Sequence, residues 1–316
     1  MRTRTGLTSV RRRFAHRAAM IAIVASACRD AAPPLEREFD GAAALRDVAT
    51  QVGFGPRVPN TDGHRRQAAW MDSVLRARAD TVIVQNWNHR TAGGDTLALT
   101  NLIARFRPDV PTRILFLAHW DTRPYSDGPN AKVRNVPVPG ANDGGSGVAV
   151  LLGVASLLKR TPPGVGVDLL FVDGEDYGDF NKEPSDVLIG SRYYAAHQVA
   201  GPKPSYAVLF DMVGDSDLRI APEPNSTIAA PDVMEMIWAV AKRAGHQRIF
   251  VEGQGTALTD DHIELQKAGI RAVDIVDFQY PWWHTGEDTL DKVSAASLAA
   301  VGDVAIGLIR TARPRP

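Results

Sequence analysis

The chain predicts an α/β fold, doubly wound, with a mostly parallel central sheet and helices on both faces. Three observations predict it. Four short apolar runs, at 113–118, 167–172, 206–210 and 270–276, are almost uninterrupted, as suits strands covered on both faces. Segments of helical periodicity alternate with these runs, the signature of crossover-connected parallel strands. Finally, each run ends in or leads to acid or imidazole groups: His119-Trp120-Asp121, Asp173-Gly174-Glu175-Asp176, Asp211 and Trp283-His284. Ligands of such sheets bind at the carboxyl ends of the strands. The sequence therefore gathers Asp, Glu and His along one edge of a sheet, where a hard or borderline metal binds.

Taken in order, apolar residues recur at helical spacing in Ala43, Ala44, Leu45 and Val48, and again in Ala68, Trp70, Met71, Val74 and Leu75. The turn-rich segment 53–60 separates these two helices. Outer strands are expected at 81–85 and 97–106, before the four junction strands. Further helices are expected at 147–159, 191–197, 233–244, 261–268 and 294–311. No internal repeat or low-complexity tract interrupts the pattern, so 39–316 reads as a single domain.

The 316 residues balance 36 basic against 36 acidic side chains, which excludes a strong charge-driven partner such as nucleic acid. A small or peptidic partner and a monomeric state are expected. Arg2, Arg4, Arg11, Arg12, Arg13 and Arg17 precede the apolar stretch 18–25. That stretch is too short to span a bilayer as a mature helix and fits the h-region of a bacterial signal peptide. Residues 1–28 are thus expected to be a signal peptide, and Ser26-Ala27-Cys28 resembles the end of a lipobox, from which Ala25 departs by its small size. Residues 29–38, with Pro33-Pro34, read as a tether. The expected address is exported, either periplasmic or anchored to the membrane through a lipid on Cys28. Since Cys28 is the only cysteine, any metal must take oxygen and nitrogen ligands.

A Gly- and Asp-rich loop such as 139–147, taken alone, is an ordinary turn and helix cap. Three acids within four residues at 173–176, after a buried strand, are different, because burying unpaired charge costs several kcal/mol. A bound cation removes that cost. Of the eight histidines, His119 and His284 lie at or just beyond strand ends, and His262 reads as a helix-start residue behind the site.

In order and spacing, the segments 118–121, 140–144, 173–176, 209–214, 260–262 and 283–285 resemble the zinc aminopeptidase-like superfamily, a zinc exopeptidase fold. More narrowly they resemble its glutaminyl-peptide cyclotransferase branch and that branch's bacterial exported members, over about residues 39–309 and including the loop 54–61. This resemblance implies one Zn2+ held by Asp143, Asp176 and His284, with Glu175 as proton shuttle. It implies that Asp211 and Asp260 form a hydrogen-bonded acidic pair, and that Trp283 walls a substrate pocket. Trp282, Tyr177 and His119 are further substrate-side candidates. In the alternative, a two-zinc aminopeptidase, His119 and Asp211 bind a second ion and Asp143 bridges the pair. A third class, a non-catalytic member that keeps the fold, is disfavoured by the intact ligand set. Two features favour the cyclase: Asp176 stands where two-zinc aminopeptidases carry Glu, and Trp282-Trp283 offer an aromatic pocket to a flat, uncharged glutaminyl side chain. The loop after Asp176 lacks the tryptophan of animal cyclases, leaving Tyr177, Phe180 or Trp120 to replace it.

Overall fold

Asp40 starts the first helix, α1 (Gly41–Gly53), its carboxylate accepting the Ala43 N–H at 2.8 Å. Thr61 caps α2 (Asp62–Arg78) in the same way through the His64 N–H. The computed structural model describes residues 33–182 and 185–313 together with Met1, Thr3 and Gly6. The expected apolar signal segment and Cys28 lie outside the described residues. Contacts divide the chain into Met1–Pro33 and Pro34–Pro316, and every described helix and strand belongs to the second unit.

The last residues of the expected tether are part of this body. Leu35 N–H donates to the Arg243 carbonyl at 3.1 Å, Arg37 Nε to the Ala244 carbonyl at 2.7 Å, and Glu38 pairs with Arg310 at 3.1 Å. Pro33-Pro34 marks the boundary, and the segment after it is ordered by backbone and ionic partners that lie some two hundred residues or more away.

Six strands form one sheet in the order β1-β2-β4-β3-β5-β6. β1 (Thr81–Arg90) and β2 (Thr96–Phe106) are an antiparallel outer hairpin, and β2 also runs antiparallel to β4 (Gly166–Val172). β3 (Arg113–His119), β4, β5 (Ala207–Asp211) and β6 (Ala272–Val276) are mutually parallel along the rest of the sheet. The helices are α3 (Gly145–Arg160), α4 (Ile189–Ala196), α5 (Pro224–Ala229), α6 (Pro231–Arg243), α7 (Asp261–Lys267) and α8 (Ala295–Thr311).

Successive residues of the parallel strands feed opposite cores, as the strand period of two demands. Phe116, Ala118, Leu169, Phe171, Val208 and Phe210 join the core with α1, α3 and α8. Leu115, Leu117, Leu170, Val172 and Leu209 face Tyr194 of α4 and Leu265 of α7. Helices therefore cover both faces, which is why these runs are apolar throughout. Asp168, inside one such run, is compensated by two buried arginines, accepting from Arg105 Nε and Arg113 Nε at 3.0 Å each. β1 continues to Arg90 rather than ending at 85, paired residue for residue with β2 through Arg90 and Thr96.

Parallel orientation brings the ends of β3, β4, β5 and β6 to one edge. α3 starts there too: a Cβ added at Gly147 would come within 2.1 Å of the Phe210 carbonyl oxygen, so only glycine lets the helix start pack on the end of β5.

Candidate metal centre

Asp143 sits in the loop before α3, and its backbone is held from two sides. Asp288, fully buried, accepts the N–H groups of Asn142 at 2.9 Å and Asp143 at 3.1 Å, and the Tyr280 hydroxyl at 2.6 Å. The buried Arg57 guanidinium donates to the Pro139 and Gly140 carbonyls. A Cβ at Gly140 would strike Thr122 and Arg57, so this loop needs glycine at that approach.

Around Asp143 the strand ends place two sets of ligand-type side chains. His119, ending β3, has Nε2 3.2 Å from Asp143 Oδ1 and 3.1 Å from Asp211 Oδ1. His284 has Nε2 3.1 Å from Asp176 Oδ1 and 3.8 Å from Asp143 Oδ2. In each trio, His119–Asp143–Asp211 and Asp143–Asp176–His284, the candidate ligand atoms lie within 4.8 Å of one another, and all three side chains are buried. Asp143 Oδ2 and Asp176 Oδ2 are buried and make no hydrogen bond among the described residues. Such orphaned carboxylate oxygens beside an imidazole nitrogen are the donor set of a catalytic zinc, which takes three protein ligands and keeps one position open. The other trio, His119–Asp143–Asp211, offers the same kinds of donor to a second ion, sharing Asp143.

The field of these acids is visible in the histidines. Burial alone would lower the His284 pKa, but Asp176, with Asp127 and Asp143, raises it to about 9. His119 is likewise raised well above its ordinary value against burial, chiefly by Glu175 and then by the neighbouring aspartates. Backbone strain collects here as well: His284 and Met212, which follows Asp211, have φ of 55° and 48° in the left-handed region. Each such non-glycine residue costs about 1 kcal/mol, and the fixed side chains around it hold it there.

Glu175 belongs to neither trio. Asp121 fixes the turn that carries it, one carboxylate oxygen accepting Glu175 N–H at 3.1 Å and the other Asp176 N–H at 3.2 Å. Adjacent in sequence, Glu175 and Asp176 point apart: Asp176 toward His284, Glu175 to 3.6 Å from His119 Nδ1. Burial first, then the charges of Asp176, Asp260 and Asp261, push the Glu175 carboxyl well above its ordinary pKa, which suits a group that carries a proton.

A cleft of about 620 Å³ opens over this floor, lined by Asp143, Glu175, Asp211, Asp260, Trp283 and His284 among others. Trp283 stacks on the His284 ring at 4.0 Å and meets Phe278 edge-on, making one aromatic wall. Of the residues expected to replace the missing tryptophan, Phe180 lines the cleft. Tyr177 instead packs with Leu97, Leu99 and Ile189, and Trp120 is buried, stacked on His64 at 4.4 Å. Trp282 also turns away, against Tyr280 and under Lys292. His119 is 1% exposed and lies beneath the floor rather than in the wall. Asp211 and Asp260 both reach the cleft, but no hydrogen bond joins them among the described residues: Asp211 accepts from His119 and Asp260 from the Asp261 N–H that starts α7, at 2.5 Å. Burial, then the Asp211 charge, raises Asp260 to about 7.

Sequence reasoning missed the supports. His64, passed over for want of a ligand pattern, donates to Asp173 at 2.9 Å and braces the start of the 173–176 turn. Asp121, Arg123, Asp127, Asp288 and Arg57 are given no role by that reasoning either, Asp121 standing only in the His119-Trp120-Asp121 junction and Arg57 only in the loop 54–61. The only signal available was position, since the first three follow His119 closely and Asp288 follows His284 by four residues.

A profile of peptidase family M28 matches residues 101–309. Among solved structures, a glutaminyl cyclase from Bacteroides thetaiotaomicron, bound to N-acetylhistamine, is 34% identical with a TM-score of 0.84, covering 88% of this chain and 100% of its own. A structure from the same organism, described as a leucine aminopeptidase precursor, shows the same identity, TM-score and coverage. Among curated proteins, aminopeptidase YwaD of Bacillus subtilis is 27% identical over 61% of this chain, which spans 40% of that protein's length. Glutaminyl-peptide cyclotransferase of Bos taurus is 24% identical over 72% of this chain and 71% of its own. With the profile spanning about two thirds of its residues, and with full-length structural relatives at this identity, the chain belongs to peptidase family M28.

Proposed function

We propose that this M28 enzyme is a zinc-dependent glutaminyl-peptide cyclotransferase, converting the N-terminal glutamine of peptides or proteins to pyroglutamate with release of ammonia. The observation that carries this reading is the aromatic wall. Trp283, stacked on the candidate ligand His284 and flanked by Phe278, gives a flat apolar face next to the orphaned carboxylates, suited to a planar, uncharged side-chain amide. The glutaminyl cyclase of Bacteroides thetaiotaomicron, similar over its whole length, supports it.

The reaction joins the α-amine nitrogen to the side-chain amide carbon and breaks that carbon's bond to the amide nitrogen. Asp143, Asp176 and His284 would hold the zinc, which when bound supplies a Lewis acid for the amide oxygen. Glu175 takes a proton from the attacking amine and returns it to the departing nitrogen, so ammonia leaves and no net proton is consumed. Trp283 and Phe278 orient the amide plane and exclude water. The nucleophile and its target share one residue, so proximity is already supplied.

The His119–Asp143–Asp211 trio favours a second reading, a two-zinc aminopeptidase in which Glu175 activates a water and a free amino acid leaves. Mass spectrometry of a Gln-initiated and a Leu-initiated peptide incubated with the zinc-loaded protein separates the two. Loss of ammonia from the first, with the second intact, is the expected result. Shortening of the Leu peptide with no ammonia loss from the Gln peptide overturns the cyclase reading.

A further inference from the structure

The two candidate ligand trios differ in what stands behind them. Arg123, buried, donates from Nη1 to Asp176 Oδ1 at 3.0 Å and to the Asp176 carbonyl at 3.1 Å. Its other edge grips Asp127, Nε to Oδ1 at 2.7 Å and Nη2 to Oδ2 at 2.5 Å. Asp127 Oδ1 in turn accepts from His284 Nδ1 at 3.1 Å. With His284 Nε2 beside Asp176, the four side chains close a ring in which two ligands are joined by an arginine and a carboxylate that also line the cleft. The backbone reinforces it: Gly128 N–H donates to the His284 carbonyl at 3.0 Å, and a Cβ on Gly128 would strike the Trp283 carbonyl at 2.2 Å. The segment after Arg123 is thus seated directly on the segment that carries His284.

Behind His119 the support is looser, with the buried Asp121 as its nearest counterpart. His119 Nδ1 makes no hydrogen bond among the described residues, and its nearest carboxylate oxygens, on Glu175 and Asp121, are 3.6 and 3.7 Å away, beyond hydrogen-bond reach. A carboxylate on the far nitrogen of a ligand histidine fixes its tautomer and ring orientation; His284 has that bond already made, whereas Asp121 must close on His119 Nδ1 to make it.

We infer that Asp127 and Arg123 are positioning residues that pre-form the Asp143–Asp176–His284 site, so that it fills first and holds its ion more tightly than the site at His119. The inference rests on reading that trio as the zinc site, and it is independent of which reaction follows. The test is a zinc titration of the zinc-stripped full chain against a competing chelator, resolving first and second ions. Asp127→Ala should weaken the first ion about tenfold to a hundredfold and leave the second unchanged. Asp127→Glu should recover part of the loss, and Arg123→Lys, which keeps the charge but not the fork, should fall between. Should Asp127→Ala fail to fold, Asp127→Asn and Arg123→Lys decide the matter by the same measure. First-ion affinity unchanged in these variants, or an equal loss at both ions, overturns the inference. The peptide assay is read separately, so a failed cyclase reading with a confirmed clamp stays distinguishable from the reverse.

Discussion

Glu175 and Asp176 are neighbours with opposite duties, and the turn that carries them separates the two. The Asp121 carboxylate takes both of their N–H groups, and His64 pins Asp173 at the start of the same turn. With its backbone fixed, Asp176 can only face His284 and Glu175 can only face the cleft. Glu175→Gln removes the transferable proton while keeping shape and leaving the ligand trio untouched. It should therefore bind zinc normally and lose about a hundredfold or more in turnover. Single-turnover kinetics on a Gln-initiated peptide, with zinc content measured on the same sample, checks both halves, and near-normal turnover removes Glu175 from the chemistry. The ligand-type residues were legible because acids at the end of an apolar run demand compensation. Asp127, Asp288 and Arg57 were not, because each acts through a partner remote in sequence: Asp127 on His284, Asp288 on the Asp143 backbone, Arg57 on the 139–140 carbonyls. A lone surface-like Asp and an Arg in a proline-rich loop carry no mark of such partners.

At the scale of elements, the four parallel strands are readable because burial on both faces removes alternation from the sequence, and the candidate ligand side chains gather at or beyond their carboxyl ends. Three features resisted reading. β1 reaches Arg90, although its second half, Gln85 to Arg90, is polar apart from Trp87 and alternates only in exposure, because it takes its register from β2. The six-residue α5 is too short to show a helical period of its own; Pro224 occupies its first turn and Glu223 caps it by accepting from Asn225 and Ser226 N–H groups. Residues 35–38 read as linker because what binds them is the distant end of α6 and Arg310 of α8. In each case the missing information was tertiary, not local. The turn after Asp176 teaches the same lesson: aromatic identity left Tyr177, Phe180 and Trp120 equal, and only the path of the loop brings Phe180 to the cleft.

Taken whole, the molecule buries an excess of acid at one edge of its sheet, and its stability should record that. Asp260 and Asp288 are raised to about 7, by burial and then by Asp211 and Asp143 respectively. Their folded pKa exceeds the unfolded value, so their contribution is complete below about pH 4 and is lost as pH rises through about 7. His284, raised to about 9, adds a contribution present below about pH 6.5 and lost as pH rises through about 9. Glu223 opposes these only in acid, since its pKa is lowered to about 2 by His262, Ser226 and Asn225 against burial. Zinc-stripped protein should thus melt at progressively lower temperature from about pH 5 to about pH 9, and added zinc should restore most at the alkaline end, where the uncompensated carboxylates are most charged. Thermal melts with chelator and with zinc across that range check it, and a melting temperature that rises with pH in chelator contradicts it. Beneath all of this lies the claim that Asp143, Asp176 and His284 converge on one divalent cation. The most direct test is zinc content per chain, by elemental analysis, of the purified protein and of Asp143→Ala and His284→Ala: at least one zinc is expected in the parent, with its loss from both variants, whereas variants that keep the parent's full zinc content rule this site out.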